Sequence, residues 1–401
     1  GNTFNNWTGG TSAITGFSYS YIGGTTSSYS NNSLTNITGQ GAITGINLGS
    51  TANLATTVNV ANNTINNLSS TGTGGQVLGI SCANTSTVIN INGNAINTLS
   101  STGASSAVGG ILITGAATTN VFSNTIYGMV ASGTTSPLAL GVSVQGGTTV
   151  NTYGNKIYNI SATGAISTTS PAVIGLNITA GTTVNSYNNL IGDLTAPSAS
   201  LTDAVRGISI TSTTTSSTHK IYNNTIYLSG SGGTNFGGTG LFHTISTMAT
   251  TSALDLQNNM IFCDLTPNGT GLAVAYRRSA GAASNLANYA STSNKNLFYA
   301  GTPGTSNLIY SDVTSSVQTM AAYQAGVFTA GTIASRDANS FTEASFNPAT
   351  YFVSTTGSNA NFLKPASGLT TQAEGGGNTI AMCSPDYNGV TRPGFSGAAY
   401  D

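Results

Sequence analysis

The chain has 401 residues, of which 5% are charged and 38% hydrophobic, and its formal net charge is −1. Between Gly1 and Asn155 there is no Asp, Glu, Lys, Arg or His. So little charge removes the electrostatic footprint of a nucleic-acid or anionic-membrane partner, and apolar residues recurring at a fixed period set the chain apart from disordered segments.

No apolar run reaches the roughly 20 residues of a membrane helix, so no membrane insertion is expected. No signal peptide precedes Gly1, and the chain reads as soluble or as a processed piece of something larger. Cys82, Cys263 and Cys383 are too few and too scattered for a disulfide framework or a zinc site. They read as buried small hydrophobes, with Cys263 and Cys383 a candidate pair because both lie toward one end. No cofactor or metal is expected.

From the start, an Asn stands two positions before an apolar residue at Asn2-Phe4, Asn32-Leu34, Asn63-Ile65, Asn94-Ile96, Asn124-Ile126, Asn155-Ile157, Asn189-Ile191, Asn224-Ile226 and Asn259-Ile261. A further instance begins at Asn296-Leu297. The spacing is 30 or 31 residues at first and stretches to 34 and 35. A second marker keeps the same register: Gly16-Phe17, Gly45-Ile46, Gly79-Ile80, Gly110-Ile111, Gly141-Val142, Gly175-Leu176, Gly207-Ile208 and Gly240-Leu241. A third apolar run closes each unit, as at Val88 to Ile91 and Val121 to Phe122. A period of about thirty residues holding three short strands predicts a solenoid.

Alternation such as Ile46-Asn47-Leu48 places every other side chain inward on a pleated strand. Equivalent strands must run the same way, and crossovers between parallel strands are right-handed. The expected fold is therefore all-β: a right-handed parallel β-helix of about nine rungs over residues 1–299, some 43 Å long at about 4.8 Å per rung. In the third strand the apolar parity slips between Val58-Val60 and Thr152-Tyr153, which leaves open whether Asn151 or Tyr153 faces inward.

After Leu297 the period stops, and residues 300–401 are expected to form a mixed capping segment, since parallel strands end in open edges that need a lid. Ser315 to Gly326 reads as a short helix, with Ser315 and Gln318 at capping-box spacing and Val317, Met320, Ala321 and Val327 for an apolar face.

The rungs resemble the right-handed β-helix repeats of the pectate-lyase-like superfamily over about residues 1–300. That fold carries lyases, hydrolases, adhesins and plain stalks, so the resemblance implies architecture and not chemistry. The stretch from Asn296 to Asp401 resembles the closing segment that follows such repeats in large secreted bacterial surface proteins, particularly Bacteroidetes-type proteins exported with a C-terminal sorting domain by type IX secretion. The matching residues are LFYAG at 297–301, MAAYQ at 320–324, Asn339-Ser340, Phe346-Asn347-Pro348 and SPDYNGVTRP at 384–393. The resemblance implies an extracellular or cell-surface location and a longer parent polypeptide, both ends of the chain breaking off inside a pattern.

Catalysis on this fold requires paired carboxylates. Asp193 and Asp264 share a position just after the first strand but two rungs apart, about 10 Å along the axis. Asp203 with Arg206, and Asp255 with Arg277-Arg278, read as local ion pairs or solvated loop charges. His219 and His243 fall at different places around the coil, and Asp386-Tyr387-Asn388-Gly389 opens like a calcium loop but lacks the downstream acidic ligand, so it reads as a turn. No catalytic and no metal-binding residue is assigned.

Three columns remain. The Asn residues should hydrogen-bond from rung to rung. Thr pairs at Thr25-Thr26, Thr56-Thr57, Thr118-Thr119, Thr148-Thr149, Thr182-Thr183 and Thr250-Thr251 suit hydroxyl ladders at a corner, the alternative being an ice-binding surface. Tyr127, Tyr158, Tyr227 and Phe262, each directly after an inward Ile, should form an exposed aromatic column interrupted by Gly192, either a candidate ligand-binding stripe for glycans or a protein surface, or a self-stabilising stack. The expected function is a structural and adhesive rod, adhesin or stalk, whose partners are other domains of the same polypeptide, neighbouring surface proteins or glycans. The alternatives are a polysaccharide lyase or glycoside hydrolase, and a self-assembling extracellular filament subunit.

Overall fold

A computed structural model describes residues 1–19, 24–49, 55–164, 166, 171–244, 253–279, 286, 288–312, 314–326 and 336–392. Thr250-Thr251, Val327 and Pro393 lie outside them. The described chain winds into a parallel β-solenoid of about nine turns, each strand pairing with its equivalents one turn before and after.

Three sheets line the coil. The first stacks strands that begin at the residue after each ladder Asn, as in Thr64–Ser70, Ala95–Ser101 and Thr125–Ala131. The second stacks the Gly-centred strands, as in Gln76–Cys82 and Ala107–Ile113, and takes one further parallel strand, Asn307–Ser311, beyond the expected limit of the repeats at 299. The third stacks five-residue strands such as Val88–Asn92 and Thr149–Tyr153. Ile65, Ile96 and Ile126 from the first sheet, Ile80, Ile111 and Val142 from the second, and Ile89 and Val121 from the third meet in one continuous core. Each fully buried Ile or Val contributes roughly 1.5 to 3 kcal/mol.

Both sequence markers have a physical cause. At the corner from third to first sheet the chain turns on two residues, a left-handed one (Asn62, φ 56°; Ser123, φ 53°; Asn188, φ 56°) and then the buried Asn. The Asn63 side-chain amide donates to Asn94 Oδ1 at 2.9 Å and to the Tyr29 carbonyl at 3.0 Å, while its backbone N–H donates to the same Asn94 oxygen. The pattern recurs to Asn296, whose amide meets the buried Asp337 carboxylate at 3.0 Å. A carboxylate cannot pass a donor onward, so the ladder stops there. The glycine column marks a close approach. A Cβ at Gly110 would lie 2.6 Å from the Gly141 carbonyl oxygen and 2.6 Å from Ile126 Cγ2.

The third-strand parity resolves in a way neither alternative anticipated. Val150 and Thr152 face inward, and Asn151 and Tyr153 both face outward. Asn151 joins an outer amide ladder, its amide donating to Asn120 Oδ1 at 2.7 Å and its Oδ1 accepting from Asn185. At the end of the coil the capping helix is shorter than expected. Ser316–Val317 pairs antiparallel with Tyr310 and Ser311 of Asn307–Ser311, covering part of the second sheet's last edge, and Thr319 caps α1 (Met320–Gln324). Ser315 donates its backbone N–H to Asp312 instead of capping the helix, and Met320 and Tyr323, not Ala321, supply the buried face.

The Gly110→Ala protein is expected to lose about 1 to 3 kcal/mol through overpacking, whereas Gly304→Ala, where a Cβ meets only an ordinary 3.8 Å contact, stays near wild type. Urea midpoints of the two variants check the difference.

Candidate functional site

Tyr127, Tyr158, Tyr227 and Phe262 do form one column on the outer face of the first sheet. The Tyr127 and Tyr158 rings stack at 4.9 Å with an interplanar angle of 3°. The column is not an exposed stripe, however. Tyr158, Tyr227 and Phe262 are 6%, 7% and 0% exposed, because residues 341–392 run back along the first sheet as a strap and bury them. Phe262 packs against Phe346 at 4.4 Å and edge-on against Phe352 at 5.4 Å, and Tyr227 meets Phe352 at 5.8 Å. The gap at Gly192 is the seat of Phe362, whose ring tip would stand 3.0 Å from a Cβ placed there. Only Tyr127, beyond the strap's reach, stays half-exposed.

Polar contacts pin the strap to the corner. Asn188 donates to the Pro385 carbonyl at 2.8 Å and accepts from Arg392 Nη2 at 3.0 Å, and Asn258 exchanges two bonds with Asn378 at 2.8 and 2.9 Å. Lys156 Nζ donates to the Asn359 carbonyl at 2.7 Å and lies over the Tyr158 and Phe362 rings, and burial holds its amine below the usual lysine range. The left-handed corner residues thus serve the backbone turn and the strap together.

A second aromatic column went unread because the third-strand parity was open. Phe122, Tyr153 and Tyr187 stack at 4.9 and 4.8 Å, each pair within 1° of parallel. In such a stack the ring faces are spent on one another and only edges point to solvent. The second column thus stabilises itself ring on ring, whereas the first is stabilised chiefly by the strap.

No disulfide joins Cys263 to Cys383. Cys263 lies in the solenoid core, Cys383 sits in the strap near Tyr187 and Tyr222, and burial raises both thiols to about 12. Asp193 and Asp264 do not share a position. Asp264 is in register with Ser229, whereas Asp193 occupies a left-handed bend (φ 52°) equivalent to Asn159. Burial raises both carboxyls. Asp203 and Arg206 form the expected ion pair, at 2.8 Å, but Asp255 bonds Tyr222 at 2.5 Å and not the arginines. Arg278 turns into the coil, bonding Asn288 at 2.5 Å, and Arg277 faces outward toward Asp203. Asp386 accepts from the backbone N–H groups of Asn388 and Val390, closing a turn with Gly389 at φ 82°.

His219 points into the core, in register between Val184 and Leu254, and no described residue bonds its Nδ1. Burial lowers its pKa from 6.5 to about 4. No family model, curated protein or solved structure matches this chain, so nothing outside its own geometry assigns a role to these groups.

Two outcomes follow. The folded state keeps His219 neutral while the unfolded chain protonates near 6.5, so its contribution is fully present above pH 6.5 and is lost as pH falls toward 4. The loss is about 3 kcal/mol, and His219→Leu is expected to flatten that part of the profile in urea melts taken across the window. In the second, Phe262→Ala removes the ring on which the strap packs, weakening that contact by about 3 to 5 kcal/mol. Limited proteolysis should then cut first within 341–392, with Tyr127→Ala unchanged from wild type. First cuts inside the repeats would show that the strap is not the weaker element.

Proposed function

We propose that this chain is a structural and adhesive segment of a larger bacterial surface or secreted protein, a stiff extracellular rod that holds other domains apart or presents a long face to glycans and neighbouring proteins. The observation that carries the reading is that its ladder asparagines are committed to one another. The inner Asn ladder runs from Asn2 to Asn296, and the outer one links Asn59, Asn90, Asn120, Asn151 and Asn185 at 2.7 to 2.8 Å. Amides bonded between turns lock the coil against unwinding and leave few groups for chemistry on a substrate.

The resemblance of the repeats to pectate-lyase-like proteins, and of residues 296–401 to the closing segment of Bacteroidetes-type exported proteins, rests on sequence alone and supports the extracellular placement. Against a filament subunit adding at both ends stands the covered C-terminal edge, where Ser316–Val317 and α1 occupy the position of the next turn. A carbohydrate-active enzyme on the same fold is supported by one feature, the meeting of Asp203 with Arg206 and Arg277 on the second sheet.

Antibodies against the chain, used on fractionated cells of the source organism with peptide mapping of the reactive band, are expected to find it at the cell surface or in the medium, on a polypeptide well above 40.1 kDa. A cytosolic 40.1 kDa species would overturn the reading. Cleavage of a polysaccharide by the purified chain would replace it with the enzyme.

A further inference from the structure

We propose that a cavity of about 330 Å³ between the strap and the first sheet binds an uncharged sugar ring, with the side-chain amide of Asn223 as its hydrogen-bonding anchor. The inference rests on the adhesive reading above, to which it gives a ligand class and a site. The floor of the cavity is one outward column of the first sheet, Leu190, Thr225 and Met260, in register on three successive turns. Leu363 and Pro365 line it from the earlier part of the strap, Asn388 and Thr391 from the later part.

The left-handed corner residues decide where the cavity is polar. Asn188, Asn223 and Asn258 hold φ of 56°, 52° and 58° on successive turns. The outer two are taken by the strap, Asn188 through Pro385 and Arg392 and Asn258 through Asn378. Asn223, between them, bonds no described strap residue. Its Oδ1 accepts one long bond, at 3.4 Å, from Asn258, and no described residue accepts from its amide N–H groups. A second cavity, of about 110 Å³, shares Asn223, Thr225, Met260 and Arg392 with the first, so Asn223 stands where the two adjoin. Asn223 is half-exposed, and Asn361, Asn388 and Thr391 are exposed, which leaves the polar lining open to a ligand.

An amide offers a donor and an acceptor side by side, which pair with two adjacent hydroxyls, one accepting and one donating. Asn223 presents that pair at the wall, and the Thr225 hydroxyl, bonded by no described residue, adds a donor and an acceptor at the floor. Leu190 and Met260 on either side of Thr225 give the C–H face of a ring an apolar bed, so apolar lining supplies contact and a few polar groups fix orientation. Lys364 and Arg392 stand in the lining against Asp386, and Arg392 gives Nη1 to the Cys383 and Pro385 carbonyls and Nη2 to Asn188. Either kind of ion would meet a like charge there, a cost that an uncharged ligand escapes.

The test follows the side-chain amide resonances of the whole chain by NMR, titrating separately with methyl glucoside, methyl galactoside, N-acetylglucosamine and sodium glucuronate. At least one of the neutral sugars is expected to produce a saturable shift of the Asn223 amide, identified by sequential assignment and by its absence from the Asn223→Gly spectrum. Glycine holds the same corner at Gly93 and Gly154, with φ of 63° and 60°, so Asn223→Gly keeps the turn. It is expected to melt with wild type and to bind that sugar about tenfold or more weakly, as read from the Asn361 and Asn388 amides. The wild-type titration is decisive by itself, so the test survives a variant that folds poorly. No saturable shift with any neutral sugar, unchanged affinity in Asn223→Gly, or tighter binding of glucuronate than of the neutral sugars would overturn the proposal. Its failure leaves a cell-surface location standing, whereas a cytosolic chain that binds sugar at Asn223 would overturn the surface reading alone.

Discussion

The structure depends on a buried amide. At each passage from the third sheet to the first, a corner of two residues replaces a loop, and a corner so tight leaves backbone groups facing inward with no strand to pair them. The ladder Asn supplies both kinds of partner. Its amide nitrogen serves a carbonyl of the third-sheet strand one turn earlier, and its oxygen takes the backbone N–H and the side chain of the previous ladder Asn. Asp or Leu in this place would leave groups unmet on two turns at once. The same corner fixes which residues of the following strand face inward, so the Ile core, the glycine column and both aromatic columns inherit their register from it.

That register has a consequence on the outside of the coil. Identical positions recur one turn apart, so any outward aromatic in the repeat becomes a stack, and a stack several turns long is an apolar face that water does not tolerate. The chain covers most of the first-sheet aromatic column with its own strap, inserting Phe362 where Gly192 interrupts the column and closing Phe346, Tyr351 and Phe352 over Phe262. The cap and the strap are successive parts of the closing segment. Ser316–Val317 and α1 cover the end of the coil, and residues 341–392 cover its flank.

Charge enters the molecule only in the later turns, and it is handled locally. Asp203 and Arg206 neutralise each other against Phe242, and Asp337 ends the Asn ladder while accepting from Tyr289, Tyr323 and Ser340. His219 stays neutral in a position that Val184 and Leu254 hold in the adjacent turns. Arg277 adds its charge to the same cluster, facing Asp203 from the next turns.

The sequence by itself determined the architecture: the period, the three parallel sheets, the inward Ile positions, the Asn ladder and the existence of a terminal cap. All of these are repeated some nine times, and repetition turns weak local preferences into a pattern. Only the tertiary structure decided what happens once. The strap's path along the flank depends on contacts between residues up to about two hundred positions apart, such as Asn188 with Arg392, which no local period announces. The orientation of Tyr153 escaped because inward Thr152 and outward Tyr153 invert the usual hydropathy. The misplacement of Asp193 beside Asp264 came from a left-handed bend present in one turn and absent two turns later, which shifts the count by a residue. The approach of Arg277 to Asp203 follows from stacking of neighbouring turns, where side chains some 70 positions apart in sequence share one face.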